Sequence, residues 1–120
     1  MIDHIGFEVS DLARSARFYD AVFYALGVRR MFESDGAVAY GVDDAVFWLT
    51  AREPPAAGYG HVALRAAGKA AVDGGHEAGL RAGGTDAGAP GPRPHYGPRC
   101  YAGYLRDPDG LRVELVTGTR

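Results

Sequence analysis

The chain has 120 residues, enough for one domain or for two very small halves that share a core. Its hydrophobic content of 47% and its net charge of −2 are typical of a soluble globular protein. No basic patch favours nucleic acid binding, and no apolar run reaches the ~18 residues that a membrane span requires. The single Cys100 excludes an internal disulfide and a thiolate metal cluster.

Met1 leads directly into a strand-like segment rather than a signal peptide. Together with the lone cysteine, this start fits a reducing cytoplasm, so we expect a cytoplasmic protein. Any metal ion must then be held by His, Asp, Glu or water.

Residues 1–51 predict four strands and one helix in the order β-α-β-β-β. In the first strand, residues 2–9, alternation places His4 on the face opposite an aliphatic row. Ser10 or Asp11 supplies the N-cap of the helix that follows. Three short strands are then expected at residues 28–33, 37–42 and 45–50.

Residues 52–58 form a linker by composition, and residues 59–120 repeat the first half. A strand over residues 59–66 carries His61 on its non-core face. A helix is expected over residues 68–83. Its glycines cost roughly 1 kcal/mol each relative to alanine, so this helix depends on packing.

The stretch from Tyr101 to Val116 predicts a β-hairpin. Its turn, DPDG at 107–110, is strongly indicated because proline presets φ and glycine allows a positive φ where the chain reverses. In the second strand Glu114 projects from the face opposite an aliphatic row. The preceding residues 85–97 predict either a long Pro/Gly loop or an irregular strand.

An internal repeat relates the two halves of the chain. His4 lies 23 positions before Gly27, a predicted helix end, and His61 lies 23 positions before Gly84. Strand phase gives each half two equivalent positions on the non-core face of its sheet. These are His4 and Trp48, then His61 and Glu114.

Two such halves predict an α+β fold, with a curved mixed sheet around a concave pocket and the helices outside. His4, His61 and Glu114 would all face this pocket. Two imidazoles and one carboxylate form a facial triad that leaves positions on an ion open for substrate. This donor set suits Fe²⁺, Mn²⁺ or a catalytic Zn²⁺. Local hydrogen bonds of each histidine are the alternative, which the residues alone leave open.

Six short motifs follow one another along nearly the whole chain. They are DHIG at 3–6, VSDL at 9–12, FY at 18–19, GHVAL at 60–64, YLRDPDG at 104–110 and EL at 114–115. In this order they resemble the vicinal oxygen chelate superfamily of glyoxalase I, bleomycin resistance proteins and extradiol dioxygenases. The resemblance implies a single domain over residues 1–120, a homodimer, and a divalent metal on His4, His61 and Glu114.

Two branches of this superfamily make different demands on the sequence. Glyoxalase I would require a fourth ligand, a glutamate, where Trp48 stands. Tryptophan can neither coordinate nor accept a proton, so lactoylglutathione lyase activity is disfavoured. Trp48 is then expected as a wall of the pocket or as a core residue.

The extradiol pattern fits the second half better. Tyr104, the DPDG turn and Glu114 have its spacing, with His95 upstream, although Gly103 and Arg93 depart from it. In such enzymes the tyrosine hydrogen bonds a metal-bound substrate oxygen and the histidine exchanges protons, which suits a side chain that titrates near neutrality.

Further pocket residues are expected on the same strands and loop. Arg106 shares strand parity with Tyr104 and could hold an anionic substrate, although a surface role is the alternative. Tyr96 and Tyr101 could line the pocket or simply pack. His76, in the middle of the second helix, is expected at the surface.

The leading interpretation is a metal-dependent enzyme whose ion chelates adjacent oxygens of a small metabolite and stabilises the negative charge that develops on them. Cleavage of a catechol-like compound with O₂, and a lyase, isomerase or thiol-transfer reaction, are both open. The rival is a metal-free protein that sequesters an aromatic drug or metabolite. Its stacking surfaces would be Trp48, Tyr59, Tyr96, Tyr101 and Tyr104.

Overall fold

A computed structural model describes residues 2–55 and 61–118 of the chain. The elements are β1 (Ile5–Val9), α1 (Leu12–Ala25), β2 (Arg29–Glu33), β3 (Ala37–Gly41), β4 (Phe47–Ala51), β5 (His61–Arg65), α2 (Lys69–Arg81), β6 (Thr85–Pro92), β7 (Tyr101–Arg106) and β8 (Arg112–Thr117). They form two four-stranded mixed sheets, in the orders β1-β4-β3-β2 and β5-β8-β7-β6. The predicted α+β class with two βαβββ modules is confirmed. Part of the predicted linker, Tyr59 and Gly60 lie outside the described residues.

Helix α1 begins and ends where local chemistry predicts. The Asp11 side chain accepts a hydrogen bond from the backbone N–H of Arg14 at 3.0 Å, so it caps the first turn. Gly27 has a φ of +75° and ends the helix. After α2 the glycine with positive φ is Gly83, the last residue of the predicted helix. It lies 22 positions after His61, one fewer than separates Gly27 from His4, because α2 has 13 residues and α1 has 14.

The strands keep the predicted order but differ in their bounds. β1 begins at Ile5, later than predicted. Within residues 85–97 the irregular-strand alternative is confirmed, since β6 pairs with β7. Its register shifts between Asp86 and Gly88, and again between Gly88 and Gly91.

The internal repeat is visible in the parallel strand pair of each module. Gly6 of β1 lies opposite Trp48 of β4, and Ala63 of β5 lies opposite Glu114 of β8. Trp48 and Glu114 therefore occupy equivalent positions, as the strand phase predicted.

The two sheets do not merge into one curved sheet. In the described part of the chain, β1 and β5 each lie at an edge of their own sheet and pair with no strand of the other. The modules are joined through α1 and α2, which pack against each other. A methyl group on Gly79 of α2 would lie 2.5 Å from Leu105 and 3.0 Å from Val22. The glycines that weaken α2 therefore permit its close contact with α1 and β7.

One apolar core lies between the helices and both sheets. Its largest fully buried apolar side chains are Val9, Phe18, Tyr19, Val22, Tyr40, Leu49, Val72, Leu105, Val113 and Leu115. The core therefore draws on both modules, so neither is independent of the other. None of the described helices is long and apolar enough to cross a membrane.

The β7–β8 turn is tied to α1 by a buried carboxylate. The Tyr19 hydroxyl donates a hydrogen bond to Asp107 Oδ2 at 2.8 Å, and the backbone N–H groups of Asp109 and Leu111 donate to Asp107 Oδ1 at 2.9 and 2.8 Å. Burial raises the pKa of Asp107 above its usual value, although these three donors act to lower it. Burial, then the Asp107 charge, raises the pKa of Tyr19.

A second carboxylate of the same turn binds the start of α1. Asp109 accepts hydrogen bonds from the hydroxyls of Ser10 at 2.5 Å and Ser15 at 3.2 Å, and from Arg14 Nη2 at 3.4 Å. The two carboxylates of the DPDG turn thus join the second module to the first.

We expect Asp107→Ala to lower the free energy of unfolding by about 3 kcal/mol, because it leaves the Tyr19 hydroxyl and two backbone N–H groups without their acceptor. The measurement is urea denaturation followed by circular dichroism. Asp35→Ala is the matched control, since Asp35 is exposed between β2 and β3, and its effect should stay within about 0.5 kcal/mol. Equal shifts for the two variants would contradict the role of Asp107.

Candidate functional site

The face of the second sheet that points away from α2 collects polar side chains from three strands. His61 of β5 lies opposite Arg112 of β8 in the strand register, and Tyr104 of β7 lies opposite Glu114. Because side chains alternate along a strand, Arg112 and Glu114 share this face. The pairing of β8 with β5 on one side and β7 on the other therefore assembles the group.

The centre of the site is a contact between a histidine and a carboxylate. His61 Nε2 lies 3.1 Å from Glu114 Oε2. The Glu114 side chain is only 12% exposed, while that of His61 is 44% exposed. The carboxylate is thus largely removed from water, and the imidazole lies between it and the solvent.

Tyr104 lies beside this pair and keeps its proton at neutral pH. Burial, followed by the charge of Glu114 and a hydrogen bond with it, raises the pKa of Tyr104, and the guanidinium of Arg112 acts in the opposite direction. The Arg112 Cζ lies 4.3 Å from the centroid of the Tyr104 ring, a cation–π contact. The phenol is therefore a hydrogen-bond donor at neutral pH, and in the free protein its single O–H is directed to Glu114.

A pocket of about 150 Å³ opens between these side chains. It is lined by His61, Tyr96, Cys100, Tyr104, Arg112, Glu114 and Val116. This combination offers a carboxylate and an imidazole as metal ligands, a phenol as donor and a guanidinium as cation, which suits a small oxygenated molecule.

His4 lies apart from that group. Its Nδ1 is 2.8 Å from Asp3 Oδ1, and both residues are exposed. Within residues 2–55 and 61–118, no three His, Cys, Asp or Glu side chains are grouped as one metal site. The structure thus brings together two of the three predicted ligands, His61 and Glu114, and the complete triad stays a prediction.

A larger cavity of about 740 Å³ lies between the two modules. Both His4 and His61 are at its border. Most of its lining is apolar and includes Ile5, Phe7, Phe23, Leu26, Val62 and Leu64. This cavity borders β1 and β5, the strands that pair with nothing on one side among the described residues.

The other predicted pocket residues are scattered. His95 is exposed and stacks on Tyr96, with ring centroids 4.1 Å apart. Tyr96 lines the small pocket, while His95 is not among its lining residues. Tyr101 points to α2, where its hydroxyl donates to Asp73 Oδ1 at 2.6 Å. It lies on the opposite face from Tyr104, because the two are three residues apart on one strand.

Arg106 and Trp48 lie away from the His61–Glu114 pair. Arg106 is exposed at the end of β7, and its Nη1 donates to the carbonyl of Gly110 at 3.2 Å. Trp48 is half-buried on the first sheet, with its ring 5.2 Å from that of Phe32. The alternative of a core tryptophan is wrong, since Trp48 faces away from the buried row of β4.

The surface position predicted for His76 is wrong. It is 6% exposed, and its Nε2 lies 3.0 Å from Asp86 Oδ1 and 3.1 Å from the carbonyl oxygen of Tyr104. Both neighbours are acceptors, so Nε2 carries a proton. Helical spacing from the buried Val72 was the signal that could have placed His76 on the inner face.

Sequence reasoning also missed Arg112. Its strand parity with Glu114, two residues away, was the available signal. The register of β8 with β5 and β7 is what brings His61 and Tyr104 close to Arg112, and the sequence does not specify this register.

In metal-free protein we expect Tyr104 to ionise above the usual tyrosine pKa of 10.0, and Glu114→Gln to lower that pKa by removing an adjacent negative charge. The pKa of Tyr104 is measured from phenolate absorbance as the difference between the titrations of the protein with and without the substitution Tyr104→Phe. Glu77→Gln on the exposed side of α2 is the control and should leave the pKa unchanged. An unchanged pKa in Glu114→Gln would contradict the contact.

The chain was compared with known proteins. The family model described as Glyoxalase/Bleomycin resistance protein/Dioxygenase superfamily matches residues 1–115. A search of curated proteins finds no match.

Solved structures agree with the family model. A glyoxalase/bleomycin resistance protein from Albidiferax ferrireducens T118 is 30% identical, with a TM-score of 0.82 and 94% of each chain covered. A glyoxalase-related enzyme from Fulvimarina pelagi is 25% identical, with a TM-score of 0.77 over 97% of this chain and 86% of the other. The fosfomycin resistance protein FosX from Mesorhizobium loti is 25% identical, with a TM-score of 0.72 over 99% and 92%. The chain therefore belongs to the glyoxalase/bleomycin resistance protein/dioxygenase superfamily.

Proposed function

We propose that the chain is a divalent-metal-dependent enzyme that acts on a small oxygenated metabolite at the His61–Glu114 pair. The observation that carries this proposal is the 3.1 Å contact between an imidazole and a largely buried carboxylate in a pocket that also contains Tyr104. Perturbed ionisable groups in a concave site are a common mark of function.

The donor set fits the proposed ion. His61 and Glu114 supply one nitrogen and one oxygen, and His4 is the third proposed ligand, so Fe²⁺, Mn²⁺ and Zn²⁺ are all suitable. When bound, the ion would supply Lewis-acid stabilisation of negative charge on adjacent substrate oxygens.

The chain's own side chains supply positioning and a proton. Tyr104 holds its proton at neutral pH, and its O–H, which is bonded to Glu114 in the free protein, would turn to a substrate oxygen beside it. The surrounding strands limit access of water to Glu114. His95 is exposed on its loop, so its proposed role in proton exchange requires the loop to move toward the pocket. An extradiol-dioxygenase-like cleavage and a lyase, isomerase or transferase reaction both suit these roles.

We expect the wild-type protein to bind about one divalent ion per proposed site, and His61→Ala and Glu114→Ala each to weaken binding by about tenfold or more, because each removes a ligand. His4→Ala tests the third position in the same way. His95→Ala is the control, which should keep the ion and lose only turnover. Calorimetry after anaerobic reconstitution with Fe²⁺, Mn²⁺ or Zn²⁺ measures this. Undiminished binding in both His61→Ala and Glu114→Ala would refute the proposed site.

We also propose that two copies form a homodimer through the free edges of β1 and β5. Each of these strands lies at the edge of its described sheet, and an apolar cavity lies between the two edges. The third ligand, His4, can then come from either copy.

Val42→Asp should convert the dimer to a monomer, because Val42 is 61% exposed at the border of the apolar cavity and a charge there opposes association. Leu80→Asp, on the outer side of α2 and 41% exposed, is the matched control and should leave the mass in solution unchanged. Light scattering coupled to gel filtration measures both. A wild-type monomer across a wide range of concentrations would contradict the proposed dimer.

A second candidate is a metal-free protein that sequesters an aromatic compound, which the apolar cavity of about 740 Å³ favours. One similar structure is named as a fosfomycin resistance protein, so antibiotics are a reasonable class of small molecule to test. Calorimetric titration of the protein with aromatic compounds measures such binding. Binding of an aromatic compound to protein that binds none of the three ions would favour this candidate over the enzyme.

A further inference from the structure

We infer that Arg112 recognises an anionic oxygen group of the substrate, a carboxylate or a phosphate-like oxyanion, beside the His61–Glu114 pair. This inference rests on the proposed metal site and narrows its substrate class. The sequence had placed such a contact at Arg106, whereas the structure favours a different arginine.

The first argument is position. Arg112 lies opposite His61 in the register of β5 and β8, and it lines the same pocket as His61, Tyr104 and Glu114. It is half-buried, so its charge acts through less water than at the open surface. Arg106, in contrast, is exposed and bonded to the carbonyl of Gly110.

The second argument is an excess of positive charge. Two guanidinium groups lie by the Tyr104 ring, with Arg112 Cζ 4.3 Å and Arg93 Cζ 5.5 Å from its centroid. Neither forms an ion pair with any described residue, and the one carboxylate of the pocket, Glu114, contacts His61 at 3.1 Å, so two guanidinium groups lie by a single carboxylate. A partly desolvated cation without a counter-ion is unfavourable, and an anionic ligand relieves that cost.

The third argument is unused hydrogen-bonding capacity. Among the described residues, the Arg112 side chain donates no hydrogen bond, and Arg93 Nε is a buried nitrogen without a partner. The cation–π contact with Tyr104 uses the face of the Arg112 guanidinium and leaves its N–H donors for a ligand. A planar guanidinium binds carboxylate and phosphate oxygens in pairs, which a lysine cannot reproduce.

A divalent ion on His61 and Glu114 would strengthen this preference. It neutralises the carboxylate, so the pocket would then hold the ion and Arg112 as unopposed cations. The ligand expected there combines a metal-chelating oxygen with a separate or shared anionic group, as in a 2-hydroxycarboxylate. A neutral diol of the same size lacks this group and should not bind.

The test is calorimetric titration of Mn²⁺-loaded and metal-free protein with three probes: glycolate, inorganic phosphate and ethylene glycol. The variants are Arg112→Gln, which removes the charge, and Arg112→Lys, which keeps the charge but loses the paired donors. Arg29→Gln, at an exposed arginine of β2 in the other sheet, changes the net charge equally and is the control. Metal stoichiometry is measured first for every variant.

We expect Arg112→Gln to bind Mn²⁺ as the wild type does and to bind glycolate or phosphate about tenfold more weakly or worse, the effect of losing a charged hydrogen bond. Arg112→Lys should recover only part of that loss, and Arg29→Gln should match the wild type. The relative affinities for glycolate and phosphate show whether the site prefers a planar carboxylate or a tetrahedral phosphate. Ethylene glycol should show no dependence on Arg112.

Anion binding in Arg112→Gln equal to that of the wild type would overturn the inference, and so would the absence of anion binding in both forms of the wild type. Failure of the proposed metal site is a separate result, visible as absent Mn²⁺ binding. The same titrations of metal-free protein then decide the inference, because the excess of positive charge from Arg93 and Arg112 does not depend on the ion.

Discussion

The contact between the β7–β8 turn and α1 is the constraint on which the site depends. Asp107 accepts from Tyr19, and Asp109 accepts from the residues that start α1, so the turn is held by the other module. The strands that leave this turn carry Tyr104 and Glu114, whose facing positions follow from the register that the turn sets. Asp107 and Asp109, which do not line the pocket, thereby fix the position of Glu114, which does.

Local chemistry made much of the fold predictable. Alternation assigned Glu114 to its face of β8, a capping Asp11 and a terminal Gly27 bounded α1, and the DPDG turn gave the hairpin. The relation between the modules was not predictable in this way, because it depends on how closely two helices approach. That distance is set by the absence of a side chain at Gly79, which the sequence suggested only as a weakness of α2.

The residues of the candidate site differ in the same way: local patterns predicted some of them, and others depend on contacts between elements. His61 and Glu114 were found from strand phase, which is local, and the structure brings them to 3.1 Å. The burial of His76 and the role of Arg112 were missed although local signals existed, in helical spacing from Val72 and in strand parity with Glu114. The groups that they meet, Tyr104 and His61, depend on strand register, which no local pattern specifies. His4 is the intermediate case: its strand phase could be predicted, but its distance from the pair depends on how the edges of β1 and β5 are completed.

The stretch from Tyr104 to Glu114 therefore both stabilises the fold and lines the pocket. Within it, Asp107 and Asp109 accept hydrogen bonds from groups of the chain itself, while Tyr104, Arg112 and Glu114 line the pocket. Residues with internal partners stabilise the fold. Residues with incomplete pairing cost stability in the free protein, and a ligand of opposite charge offsets that cost. We therefore infer that Arg112, which has no counter-ion among the described residues, gives this site its preference for an anionic class of substrate.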